Sequence, residues 1–380
     1  MADRLKLREL SLAGFKSISG RVELEQKIEF GDITVLLGAN GSGKSNLFSF
    51  FNMLNFISSK GLQIFVAKNG WANTLFYYGS QSTEQIDFSI TFEQGEGTEQ
   101  RSSKYIAKLF TDTQSGLFFA YEKVIYQKYG LPQPYEHFVD RGNKESGLPD
   151  DEDETAKIIF GAISDIRAYQ FHNTSDRAKI KDLGYIEDNR YLRSDAGNLA
   201  AFLRVIKFSS EFKKYYERII RHIQQVMPQF KDFELEPTVE NDKYIRLNWF
   251  DTVNDYLFGP HQISDGSLRF MALATLLLQP PKYMPRVIVL DEPELGLHPA
   301  AIGQLSGMIR TASKHCQVII ATQSTRLVDE FEPSHLVIVE RDTTNNCSIF
   351  KRLKESQLQE WLARYSLSEL WEKNVFGGRP

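Results

Sequence analysis

Alternating apolar and polar positions dominate the first third of this 380-residue chain, and helical periods and continuous apolar runs dominate the remainder. Residues 5–12 alternate as a half-buried strand should, and Val22-Glu23-Leu24 repeats the pattern on a shorter scale. The run Ile33-Thr34-Val35-Leu36-Leu37 reads as a buried parallel strand, and residues 46–57 read as the helix after it. Together, 5–12, 22–24 and 33–37 suggest a small antiparallel sheet. Residues 86–92 alternate cleanly, and 105–110 and 117–126 predict further strands. Residues 141–155 are polar, acidic and Gly/Pro-bearing, which predicts a mobile loop before structure resumes at 158–166.

From about residue 196 the period becomes helical. Leu199, Phe202, Leu203, Ile206, Phe212, Tyr216, Ile219, Ile220 and Ile223 form one apolar stripe, with Ser194 or Asp195 placed to cap it and Pro228 to end it. Strands are expected at 233–235 and 244–249. Beyond them the order is helix 266–278, strand 286–290, helix 299–313, strand 317–321, helix 324–330 and strand 335–339. That alternation implies a parallel sheet.

Composition changes this picture little. The chain is 42% hydrophobic and 25% charged with a net charge of −4, an ordinary soluble composition. Two cysteines, Cys316 and Cys347, are too few for a disulfide framework, so a reducing cytoplasm is expected, with both thiols buried and inert. The first residues carry no secretory signal, and the longest apolar stretch, 270–278, falls far short of the ~20 residues that span a bilayer. A cytoplasmic protein that is not embedded in a membrane is the expectation.

The chemistry lies at the strand ends. Gly38-Ala39-Asn40-Gly41-Ser42-Gly43-Lys44-Ser45 fits G-x-x-x-x-G-K-[ST] between an apolar strand and a helix. In that setting backbone amides wrap a phosphate, Lys44 reaches the β/γ oxygens and the Ser45 hydroxyl takes a place on Mg²⁺. ATP or GTP binding follows, with Gly38, Asn40, Gly41, Ser42, Gly43, Lys44, Ser45 and Asn46 as its residues. The strand ending in Asp291-Glu292-Pro293 delivers two carboxylates. Asp291 is expected to hold Mg²⁺ through its water shell, and Glu292 to orient and deprotonate the attacking water. Ser264-Asp265-Gly266 precedes an apolar helix; a capped helix start is also an anion site, and here the anion would belong to a second copy. Gln323, at the tip of the strand beside the carboxylate strand, could reach the γ-phosphate, or Thr322 and Ser324 could simply cap the next helix. Gln81 or Gln85 could sense the γ-phosphate or Mg²⁺, and spacing does not choose between them.

In this order, the chain resembles the ABC-type ATPases of the SMC/RecF class, in the compact RecF-like branch often called AAA family ATPases. The resemblance rests on Leu12-Ala13-Gly14-Phe15-Lys16-Ser17-Ile18, GANGSGKS, Ser264 to Phe270, VIVLDEPELGLHP at 287–299, ATQS at 321–324, and a closing segment from Ser366 to Trp371 and Gly377-Gly378-Arg379-Pro380. It implies an α/β fold: a P-loop ABC-type head with a mixed or parallel central sheet, an antiparallel β subdomain and a helical insertion. The expected division is an N-terminal ATPase lobe at 1–140, a mobile acidic loop at 141–157, a mostly helical insertion or lid at 158–250 and a C-terminal lobe at 251–380. It further implies a homodimer with two ATP molecules between subunits. Ser264, Asp265 and Gly266 would then act across the interface as signature residues. Residues 294–298 would form the D-loop, and Gln323 would occupy the switch position. ATP rather than GTP is implied by the resemblance alone. The signature reads SDGSL where SGGQ is usual, and Gln323 stands where transporter ATPases have histidine. The stretch between Ser45 and Ser264 holds no long heptad run, so a chromosome-tethering arm is not expected.

Two roles for the ATPase follow. One is an ATP-gated dimer in DNA repair or anti-phage defence, with weak DNA binding. Residues 167–231 carry 13 Lys and Arg against 7 Asp and Glu, with Arg204, Lys207, Lys213, Lys214, Arg218 and Arg221 on or near the helical stripe. The other is a regulatory ATPase controlling a separately encoded nuclease or toxin, since no nuclease-like cluster lies outside the ATP site. A transporter energy subunit fits poorly, because the insertion is too long and no membrane-docking element is present.

Overall fold

The computed structural model describes residues 4–111, 116–130, 132–254, 256–354, 358–362 and 364–378. Arg379 and Pro380 of the closing segment lie outside these residues. The central sheet has six strands in the order Cys347–Arg352, Leu336–Asp342, Ile33–Leu37, Gln317–Thr322, Val287–Asp291 and Ile166–Tyr169. All neighbours are parallel except the first pair, which form an antiparallel hairpin. Strand alternation divides the apolar side chains between two cores. Val35, Ile288, Leu290, Val318 and Ile320 pack on the face covered by helices Leu199–Phe208, Lys213–Val226, Asp265–Leu278 and Pro299–Ala312. Leu36, Val287, Val289 and Ile319 face helices Lys44–Ser58 and Glu154–Ser164 and a second sheet.

That second sheet is antiparallel, in the order Gln26–Glu29, Lys6–Ala13, Gln85–Gln94, Arg101–Thr111, Leu117–Lys128 and Tyr135–Asp140. Ile33–Leu37 is not part of it, contrary to the grouping expected from sequence. All five of its residues are buried, so it has no face to give to solvent and sits inside the parallel sheet. Val22–Leu24 is a short 3₁₀ turn rather than a strand. Pairing begins at Gln26–Glu29, where Ile28 lies opposite Leu10 and both are buried.

The helical stripe is broken into two helices, Leu199–Phe208 and Lys213–Val226. Ser209 is extended between them, with Phe212 N–H bonded back to its carbonyl at 3.1 Å. Asn198, not Ser194 or Asp195, stands before the first helix. Residues 158–250 also hold strands. Ile166–Tyr169 completes the central sheet, and Gly184–Tyr185, Phe230–Glu234, Pro237–Thr238, Asn241–Ile245 and Asn248–Asp251 enter two small antiparallel sheets.

The acidic stretch at 141–155 is pinned rather than free. The buried Glu122 carboxylate accepts from Ser146 Oγ, Gly147 N–H and Tyr105 O–H, so the loop closes on the antiparallel sheet. Burial raises the pKa of both Glu122 and Tyr105. Asp153 caps helix Glu154–Ser164, accepting from Thr155 N–H at 2.9 Å and Ala156 N–H at 3.1 Å. Both cysteines are buried, and burial pushes the Cys316 thiol up to about 12. Glu122→Ala leaves three donors without their acceptor and is expected to cost about 2–4 kcal/mol of stability. Denaturant unfolding reads the loss, and amide exchange should show residues 141–153 released; unchanged protection there would mean another anchor holds them.

Candidate active site

Parallel register brings four strand tips to one edge of the central sheet. Leu37 pairs with Thr322, Ala321 with Asp291, and Leu290 with Tyr169. The residues that follow are therefore neighbours: Gly38, Gln323, Glu292 and Gln170. This carboxyl edge is where open α/β sheets bind ligands.

The first tip turns into the loop 38–45 and helix Lys44–Ser58. Gly43, at φ +114°, stands at the N-cap position and offers no side chain, so the Lys44 and Ser45 amides are left for a ligand while Asn46 N–H bonds the Gly43 carbonyl at 3.1 Å. Two neighbours press on the loop so closely that Gly38 and Gly43 have no room for a side chain. A Cβ on Gly38 would overlap the Val339 carbonyl, and one on Gly43 would overlap Ser348 Oγ. Ser348 Oγ donates to the Ser42 carbonyl at 2.6 Å and lies 2.6 Å from Ser17 Oγ, which also accepts from Asn46 Nδ2 at 2.6 Å. Lys44 is 4% exposed and folds back to donate to the carbonyls of Gly38 at 2.6 Å and Ala39 at 2.8 Å. Burial lowers its pKa, while Glu292, Asp291 and Glu294 pull it back up. Asn40 and Ser45 are exposed. Beyond Asn46 a cavity of about 440 Å³ opens between Lys16, Ser17, Phe76, Tyr77 and Arg341.

The carboxylate strand ends in a strained turn. Glu292 has φ +40°, a conformation costing about 1–2 kcal/mol for a residue with a Cβ. Its N–H bonds the Ala321 carbonyl at 2.8 Å, which holds the turn against the neighbouring tip. Asp291 is buried, and burial raises its pKa. One of its oxygens accepts from Gln170 Nε2 at 3.2 Å, and its carbonyl lies 2.9 Å from His172 Nε2. Among the described residues the other oxygen has no hydrogen-bond partner, and neither do Ser42 Oγ and Glu294 Oε2. Buried polar atoms without partners at one strand edge are what a missing polar ligand leaves behind. The Asp291 carboxylate and the Ser45 hydroxyl are hard oxygen donors, too few to cage a metal alone, and so suit Mg²⁺ completed by phosphate oxygens and water. Glu294 accepts from Thr322 Oγ1, and burial lifts its pKa to about 7. Gln323 is half-buried at its tip, and Ser324 caps helix Thr325–Val328.

Ser264, Asp265 and Gly266 stand apart from the loop 38–45. Ser264 caps helix Asp265–Leu278, accepting from Ser267 N–H at 3.2 Å. Gly266 lies against the Gly296 carbonyl, so a Cβ would not fit, and Asp265 meets Lys181 at 3.5 Å. Arg269, one turn into the helix, donates to the carbonyls of Leu295 at 2.7 Å and His172 at 2.8 Å. The signature segment thus rests on the 294–298 turn of its own chain. Among the described residues no hydrogen bond joins it to the phosphate loop.

Residues 33–329 match the protein family described as "AAA domain, putative AbiEii toxin, Type IV TA system". The chain belongs to this family. It is an ATP-binding P-loop ATPase. No protein of curated function matches it. In fold this AAA-domain chain is similar to a SmcHead bound to the C-winged helix domain of ScpA, with TM-score 0.58 and 16% identity over 93% of this chain and 99% of that one. It is similar as well to the Smc head domain with an extended coiled coil bound to the C-terminal domain of ScpA derived from Pyrococcus furiosus, with TM-score 0.56 and 14% identity over 95% of this chain and 99% of that one.

Neither Gln81 nor Gln85 reaches the carboxylates. Gln81 is exposed in a turn, and Gln85 lies in the antiparallel sheet, bonded to Asp87. Gln170 takes the place beside Asp291. The sequence signal was weak, because the strand Ile166-Arg167-Ala168-Tyr169 carries an arginine and only its polar following residue matches the other tips. Its four-residue length hid it. His172 and Ser348 carried no comparable signal, because their roles depend on contacts across more than a hundred residues of chain.

Glu294 gives the site a pH signature. Its folded pKa lies above the ordinary 4.5, so the neutral form stabilises the fold, fully below pH 4.5, and that contribution is lost as pH rises through about 7. Glu294→Gln should remove this dependence. Wild type should lose about 1–2 °C of melting temperature between pH 6 and 8 on this account, and the variant should not. Parallel melting curves for the two would show that Glu294 does not titrate there.

Proposed function

We propose that this ATPase works as a dimer with two ATP molecules between subunits, each held by the phosphate loop of one and the signature segment of the other. The observation that carries this reading is the split site. The loop 38–45 and the signature helix are each fully formed, yet Ser264 and Asp265 are exposed and, among the described residues, make no hydrogen bond to the phosphate loop of their own chain. With Ser267 N–H held by Ser264, the Asp265 and Gly266 amides at the start of helix Asp265–Leu278 would meet a phosphate from a second copy.

Within each site Lys44 exchanges its Gly38 and Ala39 carbonyls for phosphate oxygens, and the base occupies the cavity beyond Asn46. Ser45 and Asp291 hold Mg²⁺, which supplies charge neutralisation on the phosphates when bound. Glu292, aimed by its strained turn, orients water and takes its proton. Gln170 steadies Asp291, and Gln323 faces the γ-phosphate from the adjoining tip. Hydrolysis is slow, and the dimer gates a DNA-linked process in repair or anti-phage defence within the cytoplasm.

A separate effector fits better than a large DNA surface. Arg204 and Lys207, expected on a phosphate-binding face, are spent on Glu236 and Asp232 at 2.8 and 2.9 Å. Lys213, Lys214 and Arg221 remain exposed, enough for weak, salt-sensitive contact only. The family wording supports a toxin–antitoxin context, and the ScpA-bound state of the Smc heads supports a protein partner, here taken as a separately encoded nuclease or toxin.

Complementation tests the shared site. Lys44→Ala should lose ATP binding, Asp265→Arg should lose turnover, and Glu292→Gln should bind ATP while hydrolysing it about 10²–10⁴-fold more slowly. A mixture of Lys44→Ala and Asp265→Arg should regain partial ATPase activity, because a mixed dimer contains one site with both halves intact. No regain, with each protein folded, would contradict a site shared between copies.

A further inference from the structure

We propose that the segment from Ser366 to Gly378 is a strap that positions the phosphate loop and ties it to the helix following the switch residue, with Glu340 as its latch. The inference rests on the nucleotide site argued above and assigns positioning residues that the chemistry itself does not use.

The strap grips the loop at an amide. Ala39 N–H, the first after Gly38, donates to the Gly378 carbonyl at 3.0 Å. Gly378 N–H in turn donates to Glu340 Oε2 at 3.3 Å, and the other Glu340 oxygen pairs with Lys351. Glu340 follows Val339, whose carbonyl presses on Gly38. The hairpin behind the loop therefore sets both the loop and the strap that holds it.

Only glycine allows this approach. Gly377 and Gly378 have φ of +85° and +79°. A Cβ on Gly377 would lie 2.5 Å from Glu340 Oε2, and one on Gly378 2.7 Å from Ile338 Cγ2. Paired left-handed glycines bring strap backbone within hydrogen-bond range of loop backbone, where a side chain would hold them apart.

The other end of the strap is fixed to the switch side of the site. Ser366 and Glu369 form a capping box at the start of helix Leu367–Glu372, and Leu367, Leu370 and Trp371 are buried. Asp329 accepts from Ser368 N–H at 2.8 Å and Ser368 Oγ at 2.6 Å. Asp329 closes helix Thr325–Val328, which starts two residues after Gln323. One short segment thus touches both the phosphate loop and the helix that follows Gln323. Lys44 meanwhile bonds the Gly38 and Ala39 carbonyls, so a shift of Ala39 moves the ammonium as well as the amides. Small displacements of a preorganised phosphate site weaken binding strongly.

The test separates positioning from folding by measuring nucleotide affinity, steady-state kinetics and melting of the full chain. Gly378→Ala and Glu340→Ala should each raise the Kd for a fluorescent ATP analogue and the KM for ATP about tenfold, with kcat within about twofold. The melting temperature without nucleotide should stay close to wild type. Glu340→Gln, which keeps an oxygen for Gly378 N–H, should restore most of the affinity. Should Gly378→Ala fail to fold, the Glu340 pair decides. Wild-type affinity in both Glu340 variants would overturn the strap and leave the nucleotide reading standing. A wild-type chain that binds no nucleotide would overturn both.

Discussion

Everything at the site depends on the in-register pairing of four parallel strands. Backbone hydrogen bonds along Ile33–Leu37, Gln317–Thr322, Val287–Asp291 and Ile166–Tyr169 bring their tips to one edge. A slip of one residue in any of them would turn buried Val, Ile and Leu side chains toward the wrong core. The two hydrophobic cores therefore specify the register, and the register places Lys44, Asp291, Glu292, Gln323 and Gln170 together. Stability and chemistry are set by the same constraint, while the polar atoms left without partners at the edge are the local cost of a site built for a charged ligand.

The same geometry suggests how the halves of the site communicate. Arg269 on the signature helix holds the His172 carbonyl, and the His172 ring lies against the carbonyl of Asp291. Arg269 also holds Leu295 in the turn that follows Glu292. A displacement of the signature helix on contact with a second copy would be felt at the carboxylates through two hydrogen-bonded links, both within one subunit. The strap adds a connection on the opposite side, from Asp329 to Ala39. The phosphate loop and the carboxylates are thus each tied to neighbouring segments of the same chain.

Much of this was legible before any coordinates. The phosphate loop, the carboxylate strand and the alternation after residue 260 are local patterns: a glycine-rich turn between an apolar strand and a helix, and apolar runs ended by Asp or Pro. Local physics determines them, so sequence shows them. Ile33–Leu37 could not be assigned to its sheet by pattern alone, because a fully apolar run does not name its neighbours. The break at Ser209 left a mark that a single stripe overlooks: at 3.6 residues per turn, the apolar positions from Phe212 to Ile223 lie roughly 100° away from those from Leu199 to Ile206. Gln170 was missed for another reason. Its strand has four residues, too few for periodicity, and its importance comes from Leu290 pairing with Tyr169 across more than a hundred residues. The pinning of the acidic stretch has the same origin, since a buried glutamate on a strand gives no sign of which loop it will hold.

The central claim is that nucleotide completes a site between two copies. Light scattering of Glu292→Gln, with and without Mg·ATP, measures it most directly. The account predicts one subunit without nucleotide and two with it, the shift being absent in the Lys44→Ala, Glu292→Gln double variant. A mass that does not change on adding Mg·ATP, for a protein shown to bind it, would contradict the claim.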